Sequence, residues 1–370
     1  MSKKELINIG DLLSKGILIS GGQDYDDIIV PINPQKNNSI NKPPNLTPKF
    51  FEEERYSGFN LFKMENEELP KLVDPIFPKV GVISLVGSSD TGKSTFLRQL
   101  ALSIALNHES FVGYKINTTT RNVIYVSTED DSMSTSISLK KQIRGLYPDG
   151  NIPENELNHL KFIFDINLGE SDENSLYKLL EKDLDKIGAD IVIIDAFTDI
   201  FSGDINSSTR VREFLNYFSK LSREYNCLVL FLHHTGKRTD KYNASKDNVL
   251  GSQAFEAKMR VLLELKHHPN DDSKRTLTIT KGNYLSSDIK KYSKTLRFDE
   301  ENLLFFHEGQ VLTSSISSLS KTYNKKEEVL PLIKKLYQSK KSIREIESEL
   351  KSKGYNIGKS TVSNYINEIK

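Results

Sequence analysis

A glycine-rich turn between an apolar stretch and a helix-forming stretch constrains the fold of this 370-residue chain more than any other feature. The turn, Gly87–Ser94, reads GSSDTGKS and fits the pattern G-x-x-x-x-G-K-[ST]. Its glycines let backbone N–H groups curve around a phosphate, and the N-terminus of the following helix adds positive potential. The sequence therefore predicts a phosphate-binding P-loop, in which Lys93 pairs with the β- and γ-phosphates and Ser94 binds Mg²⁺. The residues assigned to nucleotide binding here are Gly87, Ser88, Ser89, Asp90, Thr91, Gly92, Lys93, Ser94 and Thr95.

Short apolar runs alternate with amphipathic stretches over much of the chain. Five runs predict strands separated by helices: Val80–Val86, Val123–Val126, Phe162–Phe164, Ile191–Ile194 and Leu228–Leu232. Three later runs lack long helices between them and predict terminal hairpins: Val261–Leu265, Thr276–Thr280 and Thr295–Phe298. Strands that are apolar throughout are typical of a parallel sheet covered on both faces. We therefore expect an α/β fold with a mostly parallel sheet and ligands at the carboxyl ends of its strands.

Two predicted strands end in carboxylates. Asp195 closes the run IVIID, and beside a P-loop it is expected to hold Mg²⁺, although it could instead cap the following segment. Glu129 follows the run NVIYVST and is the candidate base that deprotonates the attacking water. Asp130 and Asp131 are its rivals, and Glu129 is favoured because it comes first after the strand. The alternative is that all three form an acidic cluster at the start of the next helix.

Two adjacent histidines end the run LVLFLHH. Because side chains alternate across a strand, only one of them can face the nucleotide. His234 is the candidate that contacts the γ-phosphate, since it lies nearer the end of the strand, and His233 should pack elsewhere. A purely structural pair remains the alternative.

Composition excludes several classes of protein. The single cysteine, Cys227, rules out an intrachain disulfide framework and a cysteine-based zinc site. No apolar run is long enough to span a bilayer, and the first residues lack the apolar core of a signal peptide. We therefore expect a cytoplasmic protein.

Charge and composition divide the chain into segments. Residues 1–75 are expected to form an arm or linker, because 31–48 are dense in Pro and Asn. An ATPase domain is expected over 76–308, then a linker over 309–324 and a helical domain over 325–370. The last fifty residues carry twelve Lys or Arg against six Glu, so a net charge of +6 lies on a chain whose total is +1. That local excess suggests a contact with nucleic acid.

With these residues placed, the chain resembles the RecA-like ATPases and, within them, the RepA-type replicative helicases of plasmids and mobile elements. The resemblance covers about Pro75–Lys290. It depends on the P-loop and on the ordered stretches IYVSTEDD, VIIDAFTDIF, LFLHHTGK and GSQAFEAKMRVLLEL. Members of this family form rings of six subunits with ATP bound between neighbours, which implies the same here.

The resemblance also assigns roles to later cations. Arg260 occupies the position of the arginine finger that reaches the ATP of the adjacent subunit, unless it is an ordinary surface arginine. Lys281 resembles a late cationic position that contacts nucleotide in related motors. Many of those carry Lys-x-Arg, and Asn283 replaces the arginine here.

In RecA-like motors, the loops after the Asp195 and His-His strands line a channel that holds single-stranded DNA. Lys and Arg in these loops would neutralise phosphates without reading sequence, although solvated surface loops are the alternative. The residues concerned are Arg210, Arg212, Lys237, Arg238, Lys241 and Lys246.

The C-terminal stretch resembles a helix-turn-helix. Helices are predicted over Lys325–Gln338, Ser342–Lys353 and Lys359–Ile369, with Gly354 ending the second of them. Ile343, Ile346 and Leu350 form one predicted apolar face, Ile357 fills the turn, and Val362 and Ile366 point back into the core. The last helix would present short polar side chains to a duplex groove, although a protein-binding bundle is the alternative. These residues are Lys359, Ser360, Thr361, Ser363 and Asn364.

Together these features predict a Mg²⁺-dependent ATPase that acts on DNA as a hexameric helicase or motor for a mobile genetic element. The expected cofactors are ATP and Mg²⁺, and the expected partners are DNA and further copies of the chain, with no membrane. A nucleotide-switched DNA-binding regulator and an assembly scaffold are the alternatives. Functional basic residues in the channel loops would favour the motor.

Overall fold

The computed structural model describes residues 56–65, 67–164, 173–236, 244–251, 253–316, 325–353, 355 and 357–369, and the structural statements below concern these residues. Three residues predicted to contact DNA, Lys237, Arg238 and Lys241, lie outside them, as do Gly354 and residues 1–55. No helix in the described ranges is long and apolar enough to cross a bilayer.

Strands and helices are mixed between Lys71 and Lys258, and strands dominate from there to Leu312. The strands are β1 (Lys71–Asp74), β2 (Phe77–Pro78), β3 (Gly81–Gly87), β4 (Ser110–Phe111), β5 (Tyr114–Ile116), β6 (Val123–Ser127), β7 (Leu160–Ile163), β8 (Ile191–Asp195), β9 (Leu228–His234), β10 (Val261–His268), β11 (Asp271–Gly282), β12 (Tyr292–Asp299) and β13 (Leu304–Leu312). The helices are α1 (Gly58–Phe62), α2 (Lys93–Ala105), α3 (Ser132–Leu146), α4 (Glu173–Ile187), α5 (Phe197–Ile200), α6 (Ser208–Glu224), α7 (Gln253–Lys258), α8 (Ser287–Lys290), α9 (Lys325–Gln338), α10 (Ile343–Ser352) and α11 (Lys359–Ile369).

Nine of the described strands form one large sheet in the order β13-β12-β11-β10-β3-β9-β8-β6-β7. The six strands from β10 to β7 are parallel to their neighbours in that part of the sheet. β10, β11, β12 and β13 follow one another as antiparallel hairpins. The predicted fold class, an α/β core with a mostly parallel sheet, is confirmed.

Both faces of the sheet are buried, which explains the uninterrupted apolar runs. In β3, Ile83 and Leu85 belong to a hydrophobic cluster that includes the inner face of α2. Val82 and Val86 belong to a second cluster, which includes the inner face of α6. Each strand therefore contributes to two cores, so a polar residue within it has a cost unless it finds a hydrogen bond.

A smaller sheet has the strand order β2-β1-β5-β4. It begins at Lys71, and β13 ends at Leu312, so regular structure extends past the limits 76 and 308 predicted for the ATPase domain. The apolar pattern in the sequence ends before these limits because β1 is short and because β13 is mostly exposed after Phe305.

Three helices at the C-terminal end enclose a hydrophobic cluster of their own. Ser342 caps α10 in a reciprocal capping box with Glu345, and Ile357 and Val362 lie in the cluster. The predicted helices are therefore present. Ile343 was expected in this core but is 38% exposed, because it is the first residue of α10 and its side chain faces outward.

Candidate active site

Four neighbouring parallel strands end at the same edge of the large sheet and bring the predicted polar residues together. Gly87 at the end of β3 is level with His234 in β9, and Ser127 at the end of β6 is level with Asp195 in β8. A cleft of about 300 Å³ opens there. Its lining residues are Ser89, Asp90, Gly92, Lys93, Ser94, Thr95, Arg98, Glu129, Asp130, Leu232 and His234.

The P-loop connects β3 to α2 in a conformation that requires glycine at two points. Gly92 has φ +87°, and a β-carbon on Gly87 would collide with the carbonyl oxygen of Leu265. Lys93 is buried at the start of α2, and its Nζ donates to the Ser88 carbonyl oxygen at 2.7 Å. The ammonium group therefore lies across the turn, where the β- and γ-phosphates of a nucleotide would bind.

The P-loop rests on residues from the late hairpins. Arg275 of β11 donates from Nε to the Thr91 carbonyl oxygen at 3.2 Å, and its guanidinium lies over the ring of Phe298. Gln99 of α2 exchanges two hydrogen bonds with the backbone of Phe305 in β13. These contacts span about 180 to 210 residues of sequence, so no local pattern in the sequence could have predicted them.

Asp195 is almost fully buried at the end of β8. Its Oδ2 accepts a hydrogen bond from the Tyr125 hydroxyl at 2.7 Å, whereas its buried Oδ1 has no hydrogen-bond partner among the described residues. Burial raises the pKa of this carboxyl to about 6, although hydrogen bonds from Tyr125 and Ser94 oppose the rise.

The surroundings of Asp195 show whether a divalent cation fits there. Mg²⁺ binds through one or two protein oxygens and keeps several waters. The unshared Oδ1 of Asp195 and the neighbouring Ser94 hydroxyl supply such oxygens, and a cation there would compensate the buried carboxylate. The residues present therefore fit Mg²⁺.

The three consecutive carboxylates after β6 have different partners. Glu129 Oε1 lies 3.3 Å from His234 Nε2, and Asp130 Oδ2 lies 3.3 Å from Arg98 Nη1. Asp131 caps α3 by accepting a hydrogen bond from the Ser134 N–H. The acidic-cluster interpretation thus applies to Asp131, while Glu129 and Asp130 line the cleft.

The hydrogen bond from His234 lowers the pKa of Glu129, and the charge of Lys93 acts in the same direction, so this carboxylate is ionised at neutral pH. An ionised carboxylate beside the P-loop can accept a proton from water.

The two histidines face opposite sides of β9, as the alternation of side chains requires. His234 lies in the cleft, whereas His233 is fully buried between the rings of Phe197 and Phe255. His233 Nε2 donates to the Leu250 carbonyl oxygen at 2.9 Å. Burial lowers the pKa of His233 to about 4, so it remains neutral and structural.

The buried His233 predicts a pH dependence of stability. Its pKa is about 4 when folded, against 6.5 for the free side chain, so its contribution is complete above pH 6.5 and is lost as the pH falls toward 4. Between pH 7.5 and pH 5 the loss amounts to about 2 kcal/mol. His233→Gln, which can still donate to Leu250, should reduce the drop in the free energy of unfolding by that amount. Urea denaturation at both pH values measures it, and an equal drop in both proteins would contradict the assignment.

One family match covers all the residues that line this cleft. The AAA domain family matches residues 51–240, which is half of the chain. The chain belongs to the AAA domain family. No curated protein matched this AAA domain protein in sequence. Among solved structures, an ATPase domain that is 13% identical superposes with a TM-score of 0.48, covering 62% of this chain and 85% of that one.

The resemblance assigned two cations of this AAA domain protein, Arg260 and Lys281, to nucleotide contacts. Both lie away from the cleft of the chain to which they belong. β10 runs parallel to β3 and begins beside it, so Arg260 and Lys281 lie at the amino end of β3, opposite the P-loop. Arg260 Nη1 donates to the Val80 carbonyl oxygen at 2.9 Å. Lys281 forms an ion pair with Glu256 and donates to the last carbonyl oxygens of α7. Lys281 therefore lies away from the cleft of its own chain, and its assignment to nucleotide binding stays a prediction.

The described residues predicted to contact DNA are mostly at the surface. Arg210 and Arg212 are exposed, but they lie in the first two turns of α6 rather than in a loop. Lys246 is exposed, and its Nζ is 3.9 Å from a Glu256 carboxylate oxygen. In α11, Lys359, Ser360 and Asn364 are exposed, whereas Thr361 and Ser363 are half-buried.

Sequence reasoning missed two polar residues of the AAA domain site. Tyr125 lies within β6, where its pattern indicated only an apolar core residue, and it orients Asp195. Arg98 follows Ser94 by one helical turn and lines the cleft. The spacing from Ser94 was a usable signal, because residues four apart share one face of a helix.

Proposed function

We propose that this chain hydrolyses ATP and uses the energy to move on DNA, as a helicase or related motor. The observation that carries the proposal is that Lys93 and Glu129 line one cleft at the carboxyl edge of the sheet, with Asp195 buried beside Ser94 of the same lining. Phosphoryl transfer to water requires a lysine that binds phosphate, a carboxylate with an unshared oxygen for Mg²⁺, and an ionised base.

Each residue of the site would have its own role in ATP hydrolysis. The P-loop amides and Lys93 would hold the triphosphate in place, which fixes the γ-phosphate for in-line attack. Ser94 and Asp195 would hold Mg²⁺, which when bound neutralises charge on the phosphates. Glu129 would orient the attacking water and accept its proton, while His234 would hold the Glu129 carboxylate and contact the γ-phosphate.

The placement of Arg260 supports an assembly of several copies. Arg260 and Lys281 lie at the edge opposite their own P-loop, so a nucleotide contact by either is possible only to a neighbouring subunit. We expect Arg260 to reach the ATP of that neighbour after release from the Val80 carbonyl oxygen. The resemblance to RepA-type helicases suggests a ring of six, with ATP between subunits.

DNA is the proposed substrate because exposed cations lie on segments that follow the site strands. Arg210 and Arg212 follow β8, and Lys246 follows β9, so phosphate binding there could respond to the nucleotide. The C-terminal helices are proposed to act as a helix-turn-helix that binds duplex DNA through the exposed Lys359 and Asn364. A motor that binds a chosen duplex and then travels suits the replication or mobilisation of a mobile element.

ATP-driven strand displacement tests the proposal. The purified full chain should release a labelled strand from a forked DNA duplex with ATP and Mg²⁺, and single-stranded DNA should raise its rate of hydrolysis. Hydrolysis without strand release, under conditions where the fork is bound, would favour a nucleotide-switched regulator or a scaffold.

The same assay examines Arg260 with two variants. Arg260→Ala and Lys93→Ala should each be inactive alone, because every interface lacks either a finger or a P-loop lysine. In a mixture, some interfaces pair an intact P-loop with an intact finger, so activity should partly return. Failure of the mixture to exceed either variant, with subunit exchange demonstrated by labelling, would contradict a role for Arg260 across the interface.

A further inference from the structure

Arg98 is a cation buried beside the phosphate cleft. It lies on α2 one turn after Ser94, its side chain is only 4% exposed, and it lines the cleft with Glu129 and Asp130. Its Nη1 lies 3.3 Å from Asp130 Oδ2, while its buried Nε has no hydrogen-bond partner in the described part of the chain. A buried guanidinium with few partners has a high desolvation cost, so its position depends on the pairing with Asp130.

Hydrogen bonds and an ion pair hold the backbone in place on both sides of Glu129. Before it, the Thr128 N–H donates to the Asp195 carbonyl oxygen at 2.8 Å. After it, the Asp130 carboxylate pairs with Arg98, and the Asp130 carbonyl oxygen accepts from the Ser127 hydroxyl at 3.1 Å. Glu129 itself is half exposed, and its side chain contacts His234. Its position is therefore set largely by its two neighbours in sequence.

We propose that Arg98 and Asp130 form a brace that holds Glu129 at the distance from the P-loop that hydrolysis needs. Because Arg98 belongs to the helix that begins at Lys93, the ion pair joins the phosphate-binding helix directly to the segment with the base. Arg98 is thus a positioning residue that acts through Asp130 on Glu129. The proposal rests on the proposed function, since it takes Glu129 as the base.

Single substitutions in the full chain separate positioning from binding. Arg98→Met and Asp130→Asn should each lower kcat about a hundredfold, the scale expected when a reacting group moves by roughly 1 Å. Affinity for a fluorescent non-hydrolysable ATP analogue should stay unchanged. The double variant should be no slower than either single one, because each removes the same contact. Arg98→Lys, which keeps the charge, should recover part of the rate.

A matched control comes from an ion pair outside the cleft. Arg121 pairs with Glu156 at 2.6 Å, so Arg121→Met removes a comparable contact without touching the site. Its kcat should equal that of the wild type. Circular dichroism and melting temperature show whether each variant is folded, and a folded Arg98→Met protein with normal kcat would overturn the proposal.

Combination with Glu129→Gln distinguishes the brace from a direct contact between Arg98 and phosphate. If Arg98 acts through Glu129, the Arg98→Met, Glu129→Gln protein should turn over at the rate of Glu129→Gln alone. A further loss of rate, or weaker analogue binding, would overturn the brace in favour of a phosphate contact. Full turnover in Glu129→Gln would remove the base and this proposal together, whereas a slow Glu129→Gln protein beside a normal Arg98→Met protein would remove this proposal alone.

Discussion

Replacing Glu129 with glutamine should leave ATP bound and slow its hydrolysis by about a hundredfold or more, the usual effect of losing a general base. Glutamine keeps the size and the hydrogen-bonding oxygen of the side chain, so its contact with His234 can persist while the proton acceptor is lost. Release of inorganic phosphate under single-turnover conditions measures the chemical step, and binding of a fluorescent ATP analogue shows that the site remains intact.

Asp131→Asn is the matched control for that variant, because Asp131 caps α3 and asparagine caps helices equally well. It should hydrolyse ATP at the wild-type rate. If instead Glu129→Gln is fast and a neighbouring carboxylate variant is slow, the base has been assigned to the wrong residue of the three.

Replacing Lys93 with alanine should abolish measurable hydrolysis and weaken ATP binding about tenfold to a hundredfold, the range for a lost hydrogen bond to a charged group. The ammonium group lies across the P-loop turn at the Ser88 carbonyl oxygen, and no other lysine lines the cleft among the described residues. Affinity should fall less for ADP than for ATP, because Lys93 is proposed to contact both the β- and the γ-phosphate.

Lys161→Ala serves as its control, since Lys161 pairs with Asp183 outside the cleft. Its ATP affinity and turnover should match those of the wild type. Unchanged hydrolysis in a folded Lys93→Ala protein would contradict the P-loop assignment and, with it, the proposed chemistry.

The sequence predicted the parts of the fold that depend on local signals. The runs ending at Val86, Ile194 and Leu232 had to be buried on both faces, and the P-loop pattern fixed which end of the sheet holds the cleft. Period-two alternation alone was enough to place His233 and His234 on opposite faces of their strand.

The sequence could not predict contacts between distant segments. The pairs Arg275–Thr91 and Gln99–Phe305 join hairpins to the P-loop across most of the domain, and Tyr125 reads as one more apolar strand residue. Arg260 and Lys281 were placed by resemblance, which gives a position in the chain but not the edge of the sheet on which it lies. Strand order decides that edge, and strand order is a property of the folded chain.

The hairpins from β10 to β13 lie outside the family match but support the P-loop within it. The match ends at 240, after every residue that lines the cleft, yet the carbonyl oxygen that crowds Gly87 belongs to Leu265 and the anchor of α2 is Phe305. A fragment ending at 240 would contain every residue that lines the cleft but would lack Arg260, and it would expose the edge of β3 that β10 normally covers. The residues that line the cleft and the residues that the domain needs to fold therefore cover different ranges of the chain. Insertions between 270 and 312 would displace the residues that support the P-loop, so natural variation there would change the rate of hydrolysis without altering any residue that lines the cleft.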